Sequence, residues 1–220
     1  MPHIILLGDS IFDNLKYVQP EPDVATQLRQ TVPAGWKVTL RAIDGAVTND
    51  VISQLADLPT DATHLVLSVG GNDLLGCAGD LLRTPVTVSS EAFLLLARVV
   101  GVFESMYRRL VEACLQTGLP LVVCTIYNGN FADQEFQAMA RVAVAAFNDA
   151  ILRLSVEQVL RAIDLRLVCA LAEDYANPIE PSAIGGKKIV SAIWQTISSG
   201  KRQGSKTQGS KSTTRSRKRV

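Results

Sequence analysis

Only two histidines, His3 and His64, occur in 220 residues. Neither belongs to a His-x-x-x-His or comparable ligand spacing, which argues against a transition-metal centre. Cysteine offers no alternative. Cys77, Cys114, Cys124 and Cys169 are scattered without a Cys-x-x-Cys pair and read as buried thiols of a reducing compartment. Long apolar runs are also missing. The longest, residues 92–103, is interrupted by Arg98 and is too short to span a bilayer. The run at residues 4–7 is too short for the core of a secretion signal. A cytoplasmic protein without a membrane span is the expectation. Acidic residues, finally, are absent from residues 199–220, which hold eight Lys and Arg, whereas elsewhere 14 basic residues face 21 acidic ones. The net charge of +1 thus conceals an acidic body and a basic tail.

What is present is an alternation of strand and helix. Short runs rich in Val, Ile and Leu lie at residues 4–7, 37–43, 65–69, 119–125 and 159–163. They are continuous rather than alternating, as expected of parallel strands covered on both faces. Helical spacing marks residues 24–31, 48–58, 90–116, 133–154 and 182–197, with Asp23 and Thr48 as expected N-caps and Gly118 as a stop. The pattern predicts an α/β fold: a three-layer α/β/α sandwich around a five-stranded parallel sheet. One domain over residues 1–198 and a disordered basic tail over 199–220 follow from the change of composition at the end. Basic residues in 201–219 make a solvated tail or a contact with nucleic acid or another polyanion, without aromatics for base stacking.

Ligands of such folds gather beyond the carboxyl ends of the strands, and three loops there carry suggestive residues. Gly8-Asp9-Ser10 follows the first run and presents a hydroxyl that can become a nucleophile, although a helix N-cap explains it equally well. Gly45 follows the second run and offers a backbone N–H, or is only a turn glycine. Gly70-Gly71-Asn72-Asp73 follows the third. There Asn72 can donate to a developing oxyanion, or the stretch is a turn whose Asp73 caps a helix.

In this order, and with a late Pro181-Ser182-x-x-Gly185, these blocks resemble the SGNH hydrolases, also called the GDSL esterase/lipase family, over nearly all of residues 3–197. The resemblance implies a flavodoxin-like sheet, nucleophile Ser10, and an oxyanion hole from Ser10 N–H, Gly45 N–H and the Asn72 side chain. A small ester or acyl substrate is expected with it, and no cofactor. Ligand spacing gives no transition-metal site, while the carboxylates Asp9, Asp13, Asp73, Asp174 and Glu180 leave Mg²⁺ or Ca²⁺ open.

The last motif departs from the family. Where Asp-x-x-His-Pro-Ser is usual, this chain has Asn177-Pro178-Ile179-Glu180-Pro181-Ser182, so Asn replaces the orienting Asp and Glu180 the basic His. His3 and His64 begin strands whose far ends carry Ser10 and Asn72, roughly 15–23 Å away at about 3.3 Å per residue. Neither can substitute. Glu180 is left as the base, but an ordinary Glu pKa of about 4.3 is too low for the task without burial or like-charge neighbours such as Glu173 and Asp174. Asp9, Asp73, Asp174 and Asn177 are the supporting candidates. Two readings result: an ester hydrolase with an atypical Glu base, or a ligand-binding pseudo-hydrolase that keeps the oxyanion donors alone.

Overall fold

The structure is a computed structural model in which the fold is described for residues 1–203 and side chains for residues 1–199. Five strands form one parallel sheet: β1 (His3–Gly8), β2 (Lys37–Leu40), β3 (His64–Ser68), β4 (Leu121–Cys124) and β5 (Arg161–Ile163), in the order β2-β1-β3-β4-β5. A separate antiparallel pair, β6 (Tyr175–Asn177) and β7 (Glu180–Pro181), lies late in the chain. The helices are α1 (Leu15–Val18), α2 (Val24–Thr31), α3 (Thr48–Gln54), α4 (Gly71–Arg83), α5 (Ser89–Gln116), α6 (Gln134–Glu157), α7 (Leu165–Val168) and α8 (Ala183–Gln203). This is the expected three-layer α/β/α arrangement with a flavodoxin-like strand order.

Period-two geometry divides the apolar strand residues between two cores. Ile4, Leu6 and Val66 pack with α2 and α8 through Val24, Leu28, Ile189 and Ile193. Ile5, Leu7, Leu65 and Leu67 point the other way, onto Phe103, Tyr107 and Leu110 of α5 and Phe147 and Ile151 of α6. Burying both faces explains why the strands read as unbroken apolar runs.

Several elements end differently from their sequence pattern. β2 stops at Leu40 rather than 43, because Arg41 N–H and Ala42 N–H both turn to the Leu6 carbonyl. β5 begins at Arg161 rather than 159, since Val159 has φ +54° and belongs to the turn after α6. α3 ends at Gln54, short of residue 58, and its N-cap is Val47 rather than Thr48. Asp23 does cap α2, accepting from Thr26 N–H at 2.8 Å, and Gly118 follows α5 with φ +71°. Cys114, Cys124 and Cys169 are buried, but Cys77 is only half-buried.

Helix α4 is not among the segments marked by helical spacing; the sequence offers only a turn at residues 70–73 with Asp73 as a cap, whereas the helix already begins at Gly71. α8 runs to Gln203, past the boundary expected at 198, and the proposed tail contact rests on side chains outside the described residues. Among the described residues no helix is long and apolar enough to cross a membrane.

Candidate active site

The strand order reverses direction between β1 and β3, and open α/β sheets bind ligands at such a point. Ser10 follows β1 and Asn72 follows β3, so both stand at that crevice. Gly8 makes their approach possible. Its φ is +134°, and a Cβ there would come within 1.8 Å of the Ser68 carbonyl oxygen. Only glycine satisfies both constraints. The buried side-chain amide of Gln54 clasps the Gly8 peptide from both sides, accepting from its N–H and donating to its carbonyl, each at 2.8 Å. Beyond Gly8 the chain turns sharply, with Phe12 N–H and Asp13 N–H both donating to the Asp9 carbonyl at 3.1 Å. Ser10 is left buried at the floor of the cavity described below.

Glu180 reaches the same place from the other end of the chain. It opens β7, is 4% exposed, and lines the cavity with Asp9, Ser10 and Asn72. Its backbone N–H donates to Asn177 Oδ1 at 3.0 Å. The following residue is tied to the nucleophile loop, because Asn14 Nδ2 donates to the Pro181 carbonyl at 3.3 Å while Asn14 Oδ1 accepts from Val24 N–H. Asn14, fully buried, thus joins the turn carrying Ser10 to the hairpin carrying Glu180.

Electrostatics follow from this enclosure. Burial lifts the Glu180 carboxyl to about 7. The adjacent Ser10 side chain and the Lys16 ammonium oppose that rise, and the Asp44 carboxylate adds to it. Glu180 Oε2 is buried with no hydrogen-bond partner among the described residues. Asp9 is pushed to about 8, chiefly by burial, with Glu180 and Asp73 contributing and Ile11 N–H opposing. Two carboxyls beside one serine hydroxyl therefore retain protons at higher pH than isolated carboxyls would.

The other sequence candidates take varied positions. Asn72 Nδ2 donates to the Ala46 carbonyl at 3.0 Å, tying it to the loop that carries Gly45. Gly45 itself has φ +83°, is exposed, and does not line the cavity. Asp73 accepts from both Thr48 N–H and Thr48 Oγ1, so it fastens the start of α3 rather than capping its own helix. Asp174 is fully buried and pairs with Lys188 at 2.6 Å. Of the like-charge neighbours expected for Glu180, neither Glu173 nor Asp174 plays that part; Asp44 does. His3 and His64 sit at the opposite, amino ends of β1 and β3, where His3 bonds Asp61 and Thr39.

The cavity has a volume of about 500 Å³. Beyond its polar end it runs between α4, α5 and α6, past Leu74, Leu81, Leu96 and Phe136. The sequence reading missed this wall. A signal existed: Leu74, Leu75, Ala78, Leu81 and Leu82 form a helical stripe, masked by Gly71, Gly76 and Gly79. Also missed was Asn148 of α6, which holds Ile126 as Gln54 holds Gly8, through Ile126 N–H and its carbonyl at 2.8 and 2.7 Å.

Comparison with known proteins bears on the family and the fold. The profile of the GDSL-like lipase/acylhydrolase family matches residues 6–185. No curated protein matches the sequence. Among solved structures, a lipase from a goat rumen metagenome is similar at 16% identity and a TM-score of 0.69, covering 89% of this chain and 97% of its own. An extracellular lipase from Streptomyces rimosus gives 16% identity and a TM-score of 0.65 over 89% of this chain and 99% of its own. A phospholipase A1 from Streptomyces albidoflavus gives 14% and 0.62 over 89% and 98%. At such identities the likeness is one of fold.

Proposed function

We propose, for a chain that belongs to the GDSL-like lipase/acylhydrolase family and so to a class of enzymes acting on ester bonds, that Ser10 is the nucleophile and Glu180 its general base. One observation carries the reading: burial brings Glu180, against Ser10, to a pKa of about 7. That is close to the ordinary histidine value of about 6.5. A carboxylate in this state matches a base working near neutrality, as an unshifted one does not.

The reaction then runs in two stages. Glu180 accepts the Ser10 hydroxyl proton as Oγ bonds to the ester carbonyl carbon, and the carbonyl electron pair moves onto oxygen. The Ser10 N–H and the Asn72 side chain are the donors we assign to that oxyanion; Gly45, outside the cavity lining, is left to shape the loop that Asn72 holds. Collapse breaks the bond to the alcohol, which leaves with the proton returned by Glu180. Water, deprotonated by the same carboxylate, next attacks the acyl-serine and regenerates Ser10. In this reading Asp9, Asp73, Asp174 and Asn177 are supporting residues: Asn177 and Asp73 hold loops, Asp174 anchors the hairpin region to α8, and Asp9 is a neighbouring, largely protonated acid at neutral pH.

The test is labelling with a fluorophosphonate, which reports an activated serine, beside esterase assays on neutral p-nitrophenyl esters. Wild type should label and turn over, and Ser10→Ala should do neither. Glu180→Gln should lose several powers of ten in rate, given the roughly 10⁶-fold cost of removing a triad His. A second reading has one observation in its favour: Asn72 already donates to Ala46. A pseudo-hydrolase that binds without turning over would leave Ser10 unlabelled.

A further inference from the structure

The cavity is divided chemically along its length. Its polar groups collect at the sheet end, around Asp9, Ser10, Asn72 and Glu180, and the helical walls beyond are apolar. None of its lining residues is Lys, Arg or His. A volume of about 500 Å³ is that of a small-molecule site, well above what an acetyl group fills.

The far end opens to the surface. Leu75 and Leu82 of α4 and Met139 and Val142 of α6 line the cavity and are at the same time 42–60% exposed. Helix α4 buries none of its residues, and α5 buries none before Phe103. Leu74 packs against the core below, and Leu75, Ala78, Leu81 and Leu82 line the cavity.

We propose that the substrate is an uncharged ester with a long apolar chain, the chain lying between α4, α5 and α6 and emerging at the Leu75–Met139 rim. This rests on the reading of Ser10 as nucleophile. Each methylene of such a chain leaves water for apolar walls. A sugar ester would lose hydrogen bonds to water that these walls cannot return. An anionic head group would meet Asp9 and Glu180 with no lining cation to balance it. Because the far end is open, chain length meets no back wall.

Binding can be read apart from turnover in full-length Ser10→Ala protein, by displacement of a polarity-sensitive dye with 1-alkanols from butanol to decanol. Affinity should rise about threefold per methylene through decanol. Decanoate at pH 8 should bind at least about tenfold more weakly than decanol, since its carboxylate would be buried without a countercharge. Ala78→Phe and Ala143→Phe, which fill the cavity from α4 and α6, should weaken decanol about tenfold and leave butanol unchanged, with circular dichroism showing intact folds. In wild type, kcat/KM for p-nitrophenyl esters should climb from acetate to decanoate. A flat alkanol series, equal affinity for decanoate and decanol, or folded Phe variants with unchanged decanol binding would each overturn the proposal. Chain-dependent binding with no ester turnover would support the chain site and count against Ser10 hydrolysis alone.

Discussion

Asn177 Oδ1 accepts hydrogen bonds from Ile179 N–H and from Glu180 N–H, both at 3.0 Å. The side chain standing where a family member would carry an orienting acid is thus spent on the backbone of Glu180, not on its carboxyl. A direct carboxylate base needs no tautomer fixed, only a position, and the turn supplies one. Asn177→Ala should leave two N–H groups unpaired and cost about 1–2 kcal/mol. A thermal melt should record this as a fall of a few degrees, and ester turnover should drop with it. Asn177→Asp keeps the acceptor and should recover most of the stability. Its added negative charge should move the midpoint of the pH–rate profile upward.

The Glu180 shift has a definite sign in stability. The folded protein holds this proton up to about pH 7, whereas the unfolded chain loses it near 4.5. Between those values the native state binds more protons, so the Glu180 contribution to stability falls as pH rises and then levels off above 7. Asp9 acts in the same direction up to about 8. Glu180→Gln should therefore match wild type in urea melts at pH 4. At pH 8 it should be more stable by on the order of 1–2 kcal/mol, allowing for partial solvation of the carboxylate. Activity moves the other way. The base form appears as pH rises, so wild-type kcat should climb tenfold per unit below about pH 7 and flatten above it. More stable and less active is the signature expected of a group held in a costly environment for chemistry.

Lys16 and Asp44 form an ion pair, and both act on Glu180, Lys16 lowering its pKa and Asp44 raising it. Removing one partner at a time should separate them. Asp44→Asn should shift the pH–rate midpoint down and Lys16→Met should shift it up. Each move should be a few tenths of a unit in low salt and smaller in 0.5 M salt, because exposed charges are screened within about a Debye length. Asp44 also accepts from Tyr17 Oη, an acceptor role that Asn preserves. The comparison therefore tests charge rather than loop structure.

What the sequence disclosed, and what it withheld, follows from the range of each interaction. Strands β1 and β3 were legible because Ile4–Leu7 and Leu65–Leu67 are buried on both faces, which forces unbroken apolar runs. The site loops were legible because a backbone like that of Gly8 admits no other residue. Helix α4 was not, because its apolar side faces an open cavity and three glycines interrupt its propensity. The Asn14–Pro181 bond spans 167 residues and the Gln54–Gly8 clasp spans 46. No local pattern distinguishes such amides from surface ones. The charge environment of Glu180 was hidden for the same reason: Asp44 is remote in sequence yet acts on Glu180, whereas the carboxylate of Asp174, close in sequence, is paired with Lys188.

Gln54 offers the sharpest test of how the nucleophile loop is held. Its amide faces the Gly8 peptide with an acceptor toward N–H and a donor toward the carbonyl, in a buried site. Gln54→Glu preserves shape and the acceptor but turns the donor into a second acceptor when ionised. Near pH 7 a buried carboxylate oxygen would then oppose the Gly8 carbonyl, costing about 2–4 kcal/mol. Around pH 4 the protonated carboxyl regains an O–H that can donate to the same carbonyl, and most of the loss should return. Urea melts of Gln54→Glu against wild type at the two pH values would measure this recovery. Gly8→Ala supplies the control. Its Cβ would collide with the Ser68 carbonyl at 1.8 Å and its φ of +134° is strained for any side chain. Its loss, about 3 kcal/mol or more, should be the same at both pH values. A pH-independent loss in Gln54→Glu would mean that the amide acts by packing alone, and that Ser10 is positioned by the sheet rather than by the clasp.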